Sequence, residues 1–527
     1  MSIVESVAAS GGGLRRALRV RHLVMLSVGG TIASGFLLFA GSAIGIAGPA
    51  VIISYVIAGI ITVAVMACLA ELAVVKPVAT SFAAYARDTM GPLAGFLTGW
   101  NYWLAWVMGA ATESVAAGTY FHSFYSAVPI WVVAAIIIAL EMVINLVGVL
   151  FMGEYEFILS TIKIIALAAF ILIGVCAILG IGFHSHGVTQ LTAHGGFFPS
   201  GGGAVLTALL TVFFAYVGIE LVGVTAEESV NPARDVPRAL FYTVGIVVVL
   251  FVVSIFIIMA ILPWATAGTS SSPLVDAIKS LNMPVIATIF NWIVISASVS
   301  SVDGAIYTAS RMLFTQAREG NFSQRLAVTH PQRKVPTLAL VITASCAFIG
   351  ALLAYFFPST AYIFVASLST FGFLYAWLMI ALSQPLYRLK MGGDWVRGLK
   401  WKTPLYPLTP IVAVVTVVGA FVGQFFIPGS TSIGPVTIPG GGMAIVVGAI
   451  WTALWSAYYL GYARRKFTHG EQWRSQEEAV ATSGIPAGPA GTSPPAAGPP
   501  AAGPPAAGPP AAGPSATGPS ATGSRPE

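Results

Sequence analysis

Long apolar runs recur along this chain, and they restrict its fold more than any other feature. Most reach about 20 residues or more, the length that a helix needs to cross the hydrocarbon of a bilayer. Only 8% of the 527 residues are charged, whereas soluble proteins carry about 25%. The sequence therefore predicts an all-α integral membrane protein. It argues against a large soluble enzyme, a nucleic-acid-binding protein and a disordered regulator.

The apolar runs predict about twelve membrane-spanning helices in one domain, residues 22–463. The spans lie at about 22–47, 50–75, 95–121, 128–150, 155–182, 203–226, 238–262, 285–310, 337–357, 361–384, 409–428 and 441–463. A leader, 1–21, precedes them and a tail, 464–527, follows. From Ala496 the tail repeats the unit AAGPP and then drifts to ATGPS, which predicts a disordered segment.

The basic residues predict the orientation of the spans. Of the 25 Lys and Arg residues, all except Lys163 and Lys279 fall in the leader, the tail or the loops of one side. This bias marks the cytoplasmic side of membrane proteins. We therefore expect both termini in the cytoplasm and the segment 182–202 outside.

No metal or cofactor site is predicted. The external segment contains His184, His186 and His194, but an HxH pair alone is a weak metal signal. The three cysteines, Cys68, Cys176 and Cys346, are far apart and sit in apolar runs, as small buried residues do. The chain also lacks an HExxH zinc pair and a Walker lysine loop, so metal hydrolysis and ATP drive have no support.

Two spans contain sequences that weaken a helix. The first span reads Gly29-Gly30-Thr31-Ile32-Ala33-Ser34-Gly35, and the sixth reads Phe214-Ala215-Tyr216-Val217-Gly218-Ile219-Glu220. A broken helix is tolerated in a membrane only where it faces protein or a water-filled cavity. The offset of five spans is what an inverted repeat of five plus five helices gives, here 22–182 and 203–384, with 409–463 as extra helices.

Paired breaks also predict the chemistry of a ligand. A half-helix that starts after a break presents N–H groups to a carboxylate, and one that ends at a break presents carbonyls to an ammonium group. A zwitterionic amino acid offers both groups. Glycine also permits close packing of membrane helices, so packing is an equally good interpretation of Gly29–Gly35 taken alone.

Charged side chains inside a membrane cost about 2.5–3.5 kcal/mol at its centre and are functional candidates. Glu220 adjoins a predicted break, which favours a function. Lys163 could extend its amine to the interface or act as a cation at the site. Packed, hydrogen-bonded carboxyl groups remain an alternative for Glu113 and Glu141. The full set is Glu71, Glu113, Glu141, Lys163, Glu220 and Asp303.

The chain resembles the amino acid transporter family within the amino acid–polyamine–organocation superfamily, over about residues 20 to 465. The resemblance is carried by the first span, GGTIASGFLLFAGSAIGIAGPA, and by residues 70–106, 145–166, 213–240 and 310–320 in the same order. These include NLVGVLFMGEYEFILSTIKIIA, FFAYVGIELVGVTAEESVNPARDVPRAL and SRMLFTQAREG. Together the motifs are highly specific, although each alone is not.

The resemblance implies a leucine-transporter-like fold and transport by alternating access. It assigns the substrate carboxylate to Ala33, Ser34 and Gly35, with Thr31 and Ile32 in the same stretch. It assigns the ammonium group and packing on the substrate to Phe214, Ala215, Tyr216 and Gly218. It links Glu220 to gating and proton sensing, and it puts Lys163 in the place of a sodium ion. Ala33 stands where the family usually has a glycine, which could reshape the carboxylate site.

We therefore predict a permease of the cytoplasmic membrane that imports amino acids with protons, with Glu220, Lys163 and Glu113 in coupling or gating. Sodium coupling is less favoured. An amino acid exchanger, a polyamine or GABA carrier, and a non-transporting amino acid sensor remain alternatives. Tyr102, Trp106 and Phe214 favour a neutral or aromatic substrate side chain. The expected partners are this substrate and the lipid bilayer, without nucleic acid; the sequence leaves the oligomeric state open.

Overall fold

A computed structural model describes residues 18–76, 81–182, 187–225, 229–270, 272–333, 335–357, 361–399, 401–425, 430–433 and 436–463. Residues 1–17 of the predicted leader and the whole predicted tail lie outside the described residues, as do His184 and His186.

The described residues are mainly helical, with one two-stranded sheet and an isolated bridge between Leu18 and Ser229. Its helices are α1 (Val20–Thr31), α2 (Ser34–Leu37), α3 (Phe39–Ala47), α4 (Val51–Val75), α5 (Phe82–Met90), α6 (Pro92–His122), α7 (Ile130–Val147), α8 (Val149–Leu179), α9 (Gln190–Ala193), α10 (Gly203–Val212), α11 (Leu221–Val224), α12 (Pro232–Ile261), α13 (Trp264–Thr269), α14 (Pro273–Ser280), α15 (Pro284–Arg318), α16 (Thr337–Ala347), α17 (Ile349–Phe356), α18 (Ala361–Met391), α19 (Gly393–Gly398), α20 (Leu408–Gln424) and α21 (Gly440–Tyr458). Short 3₁₀ turns lie at Gly48–Ala50, Phe213–Tyr216 and Gln324–Ala327, and a π turn at Tyr459–Ala463. Strands β1 (Ser430–Ile433) and β2 (Val436–Pro439) pair antiparallel, a hairpin that the sequence pattern did not predict.

Every predicted span falls on one or more helices, but the number of clear membrane-crossing stretches differs from the prediction. Nine stretches of the described residues are long and apolar enough to cross a membrane. Ser34–Val75 forms one such stretch, although it contains half of the first predicted span and all of the second. Helix α20 has 17 residues, and α6 carries buried polar residues such as Asn101 and Thr112. The structure thus supports a multi-pass membrane protein without confirming twelve crossings.

Several helix ends differ from the predicted spans, and one difference bears on the site. Helix α8 begins at Val149 rather than near 155, directly after Gly148. Gly148 has φ +146°, which L side chains rarely adopt and which separates α7 from α8. The first turns of α8 therefore place Glu154, Tyr155 and Glu156 on a helix.

Helix α1 contacts helices that lie far apart in the chain. Helix α6 packs against α15 and α18, and α4 packs against α12. Helix α18 also packs against α4, and α1 contacts α12 as well as α8 and α15. A residue on α1 is therefore in reach of side chains of α8, α12 and α15.

The outer faces of α7 and α8 carry large exposed apolar side chains. Ile136, Ile165 and Leu172 are exposed by 62%, 62% and 66%. Extended apolar surfaces of this kind mark contact with a membrane or a partner, and on helices of this length the membrane is the simpler explanation.

Candidate functional site

The first predicted break is present in the structure. Helix α1 ends at Thr31, and Ile32 N–H closes its last turn on the carbonyl of Val28 at 2.8 Å. Ala33 is extended, with φ −145° and ψ −164°, and α2 begins at Ser34. The chain therefore leaves the helix for two residues in the middle of the first predicted span.

The second predicted break is also present, and it touches the first. After the 3₁₀ turn at Phe213–Tyr216, Val217 is extended and Gly218 has φ +104°. A Cβ atom on Gly218 would lie 2.9 Å from the carbonyl carbon and oxygen of Gly30 and 3.0 Å from Thr31 Oγ1. Only glycine fits this backbone contact without a shift of the neighbouring chain.

A cavity of about 30 Å³ lies where the two breaks meet. Roughly two water molecules would fill this volume, because one water needs about 10–15 Å³ by such a measure. Side chains of α6, α15 and α18 complete its wall. The lining consists of Gly30, Thr31, Ala33, Gly35, Trp106, Gly109, Glu113, Phe214, Val217, Ser301, Ala305, Ser369 and Phe373.

Glu113 binds the start of the half-helix that follows the first break. The Ser34 N–H donates to both carboxylate oxygens of Glu113, at 3.2 and 3.1 Å, and Ser34 Oγ donates to Oε1 at 2.6 Å. Tyr362 OH in turn donates to Ser34 Oγ at 3.1 Å. The Ser34 N–H, which the family resemblance assigned to the substrate carboxylate, is thus hydrogen-bonded to a carboxylate of the protein itself.

Lys163 binds the end of the preceding half-helix. Its Nζ donates to the carbonyl oxygen of Gly29 at 2.5 Å and to Ser301 Oγ at 3.4 Å. Ser301 Oγ also donates to the Gly29 carbonyl, at 3.0 Å. Lys163 is 1% exposed, so its amine does not reach the interface as one interpretation of the sequence allowed.

Glu220 is fully buried beside the second break, but it does not line the cavity. Tyr102 OH donates to Oε1 at 3.3 Å, while Trp377 Nε1 and the Gly218 N–H donate to Oε2 at 3.1 Å. The carboxyl group therefore ties the broken segment to α6 and α18.

Glu156 is a buried acid of this region that the sequence analysis missed. Ser300 Oγ donates to its two carboxylate oxygens at 2.6 and 2.7 Å, and Ser160 Oγ donates to Oε1 at 3.0 Å. A Cβ on Gly29 would lie 1.6 Å from Glu156 Oε1. The signal available in the sequence was the spacing of Glu156 and Lys163, two turns apart on one helical face.

The cavity brings together only part of the predicted site. Thr31, Ala33, Gly35, Phe214 and Glu113 line it. Ser34 reaches it only through its bonds to Glu113. Ile32 and Lys163 line a second, smaller cavity of about 10 Å³.

Tyr216 points elsewhere, since its OH donates to the Tyr55 carbonyl at 2.9 Å. The backbones of Ala215 and Gly218 lie close to Gly35 and Gly30, because a Cβ on Gly35 would lie 3.2 Å from Ala215 Cα and one on Gly218 would lie 2.9 Å from the Gly30 carbonyl. The sequence did not single out Gly109, Ser301, Ala305, Ser369 or Phe373 as lining residues, because helices distant in the chain bring them there.

Two broken helices that meet near the middle of a multi-pass bundle are an arrangement typical of secondary transporters, and the permease family that the chain matches indicates a transporter rather than an enzyme. The sequence profile named "Amino acid permease" matches residues 22–471. The chain belongs to this amino acid permease family, within the amino acid–polyamine–organocation superfamily.

Relatives from Bacillus subtilis (strain 168) agree with this membership. The chain is 35% identical over 451 residues to the "Uncharacterized amino acid permease YtnA", covering 85% of this chain and 95% of the relative. It is 34% identical over 420 residues to a "Gamma-aminobutyric acid permease", covering 79% and 89%. It is 35% identical over 425 residues to a "Putative histidine permease", covering 79% and 89%.

Proposed function

We propose that this protein is a secondary active transporter that imports amino acids across the cytoplasmic membrane by proton symport. The observation that carries the proposal is the meeting of two broken helices at one cavity, with Glu113 bonded to the backbone N–H where the first broken helix resumes. The proposal includes twelve crossings, two inverted repeats of five helices and both termini in the cytoplasm.

The substrate carboxylate would bind at the start of α2 and its ammonium group at the carbonyls beside the second break. Glu113 holds the Ser34 N–H in the structure. A substrate carboxylate must therefore displace the Glu113 carboxylate, or Glu113 must take up a proton. Either event links substrate binding to the charge of Glu113, because two carboxylates repel each other at one N–H group.

Lys163 and Glu220 supply the second part of the coupling. The Lys163 amine donates to the Gly29 carbonyl, so its charge bears directly on the end of α1. Glu220 holds the second break to α6 and α18. Proton transfer at Lys163 or Glu220 would change how the broken segments are fixed. Rocking of one part of the helix bundle against the rest would then change the side to which the cavity opens.

The cavity must expand to admit an amino acid, since its volume is that of roughly two waters. Alternating access supplies such a change. Trp106, Phe214 and Phe373 provide aromatic walls, which favour a neutral or aromatic substrate side chain over a highly charged one.

Uptake by the full-length protein in proteoliposomes tests this proposal. An imposed pH gradient, acidic outside, should drive accumulation of a labelled amino acid, and a sodium gradient at equal pH should not. Lys163→Gln should abolish the response to the pH gradient. Lys279→Gln, which changes an exposed lysine, should leave it intact.

The outcomes separate the alternatives. Uptake that follows sodium and ignores pH would refute proton symport. Movement only by counterflow would identify an exchanger, and binding without movement a sensor. Competition by the twenty amino acids and GABA against the labelled substrate would define specificity; GABA and histidine are natural first probes because relatives carry those names.

A further inference from the structure

A second group of buried polar side chains lies apart from the substrate cavity, on helices α7, α8 and α15. It consists of Glu141 and Asn145 on α7, Tyr155 on α8 and Asp303 on α15. Glu141 and Asp303 are 0% exposed and Asn145 is 2% exposed. None of the four lines the cavity at the two breaks, so the proposed substrate site does not account for them.

Hydrogen bonds join these side chains across the three helices. Asn145 Nδ2 donates to Asp303 Oδ1 at 2.6 Å and to the backbone carbonyl of Glu141 at 3.0 Å. Tyr155 OH donates to Glu141 Oε1 at 3.0 Å. Asn145 therefore links the Asp303 carboxyl group to the backbone of Glu141, and each acid has one carboxyl oxygen bonded.

Three acceptor atoms of this group lack a donor. Within the described residues, Glu141 Oε2, Asp303 Oδ2 and Asn145 Oδ1 are buried and have no hydrogen-bond partner. A buried acceptor without a donor costs about 1–3 kcal/mol, and more when it is charged. The cluster thus has an excess of acceptors that one added donor would reduce.

The charges around Asp303 also favour an added proton in this cluster. Complete burial disfavours a negative charge on Asp303. Glu141 from α7 and Glu156 from α8 add like charges nearby, while Arg311, two turns further along α15, and Lys163 from α8 carry the opposite charge. Two neighbouring ionised carboxylates in a low-dielectric interior cost several kcal/mol each unless paired. A proton on one of them removes a charge and supplies an O–H donor. A metal ion is the poorer occupant, because the described residues contain no group of three His, Cys, Asp or Glu placed to hold one.

We propose that Glu141 and Asp303 share one exchangeable proton and form a proton-binding site separate from the substrate cavity. When Glu141 carries the proton, its O–H donates to one of the acceptors without a donor on Asp303 or Asn145. When Asp303 carries it, the direction reverses. The pair takes up and releases this proton as one unit.

The site is adjacent to the groups proposed for coupling. Glu156 follows Tyr155 in α8, and its partner Ser300 lies one turn before Asp303 on α15. Glu156 and Asp303 both act electrostatically on Lys163. A role of the shared proton in coupling through Lys163 rests on the proposed proton symport, whereas the existence of the site does not.

Infrared difference spectroscopy of the full-length protein in lipid nanodiscs, recorded across a pH titration, tests the site directly. A shared proton gives one protonated-carboxyl band that both Glu141→Gln and Asp303→Asn remove. Glu154→Gln, an exposed acid on the same helix as Tyr155, should leave the band unchanged. If the two substitutions remove two different bands, or none, the pair does not share a proton.

Two further measurements keep the test decisive. Tyr155→Phe retains both acids but removes the hydrogen bond to Glu141, so it should shift the band; an unshifted band overturns the assignment even where the acid variants fail to fold. Replacing choline chloride by sodium chloride should leave the band in place, and its loss would identify a sodium site instead. No substrate is needed, so failure of the uptake experiment and failure of this one are distinguishable.

Discussion

Replacement of Gly218 by alanine tests whether the two broken helices must touch. The added Cβ would lie 2.9 Å from the Gly30 carbonyl carbon and oxygen. Carbon contacts are comfortable at about 3.5–4.0 Å, so the two breaks would have to separate by roughly 0.6 Å or more. The backbone φ of +104° adds strain, because L residues disfavour that region.

The expected cost is about 2–5 kcal/mol in the free energy of unfolding. Backbone strain contributes about 1–2 kcal/mol, and overpacking of a close contact contributes about 1–3 kcal/mol. Unfolding of the purified protein by SDS in mixed micelles would measure this difference. Uptake should fall as well, since the separation displaces Gly30 at the cavity.

Gly245 on α12 is the matched control. A Cβ there would meet no atom within 4 Å, so Gly245→Ala should be neutral or stabilise the helix by about 0.5–1 kcal/mol. If Gly218→Ala matched Gly245→Ala in both stability and uptake, the close contact between the breaks would not be a constraint on the fold.

Two further substitutions probe other contacts of the fold. Glu71→Gln should lower the free energy of unfolding by about 3 kcal/mol, because it leaves the Arg388 guanidinium, bonded to Glu71 at 2.6 and 2.5 Å, without its carboxylate. Adding Arg388→Met should recover much of this loss in the same assay, and no recovery would contradict this account. Gly29→Ala should displace the Glu156 carboxylate, which lies 1.6 Å from the new Cβ position, and so reduce uptake driven by a pH gradient several-fold. Gly304→Ala, which has open space at its Cβ, should retain this uptake. Equal uptake by the two variants would contradict the proposed link between Gly29 and Glu156.

The helices and both breaks could be predicted from local sequence. Apolar runs marked the spans, and the glycines near Ile32 and at Gly218 marked where the helix ends. These features depend on residues close together in the chain, so periodicity and helix propensity are sufficient to find them. The number of membrane crossings was harder to predict, because it depends on how short or polar segments such as α6 and α20 are placed among their neighbours.

The contacts of the site could not be predicted in the same way. Glu156 lies near the start of α8, two residues from the exposed Glu154, and its sequence context is typical of an acid at a membrane surface. Only packing against Gly29 and Ser300 shows that it is buried. The bond between Glu113 and Ser34 joins residues 79 positions apart, and no local pattern records such a pairing.

The enclosure of Lys163 has a chemical consequence. An amine that is 1% exposed and donates to a backbone carbonyl is shielded from acylating reagents in this conformation. Its reactivity would appear only when the end of α1 moves away and water enters. The extent of covalent labelling at Lys163, measured by mass spectrometry, would therefore report the opening of the protein without an attached dye.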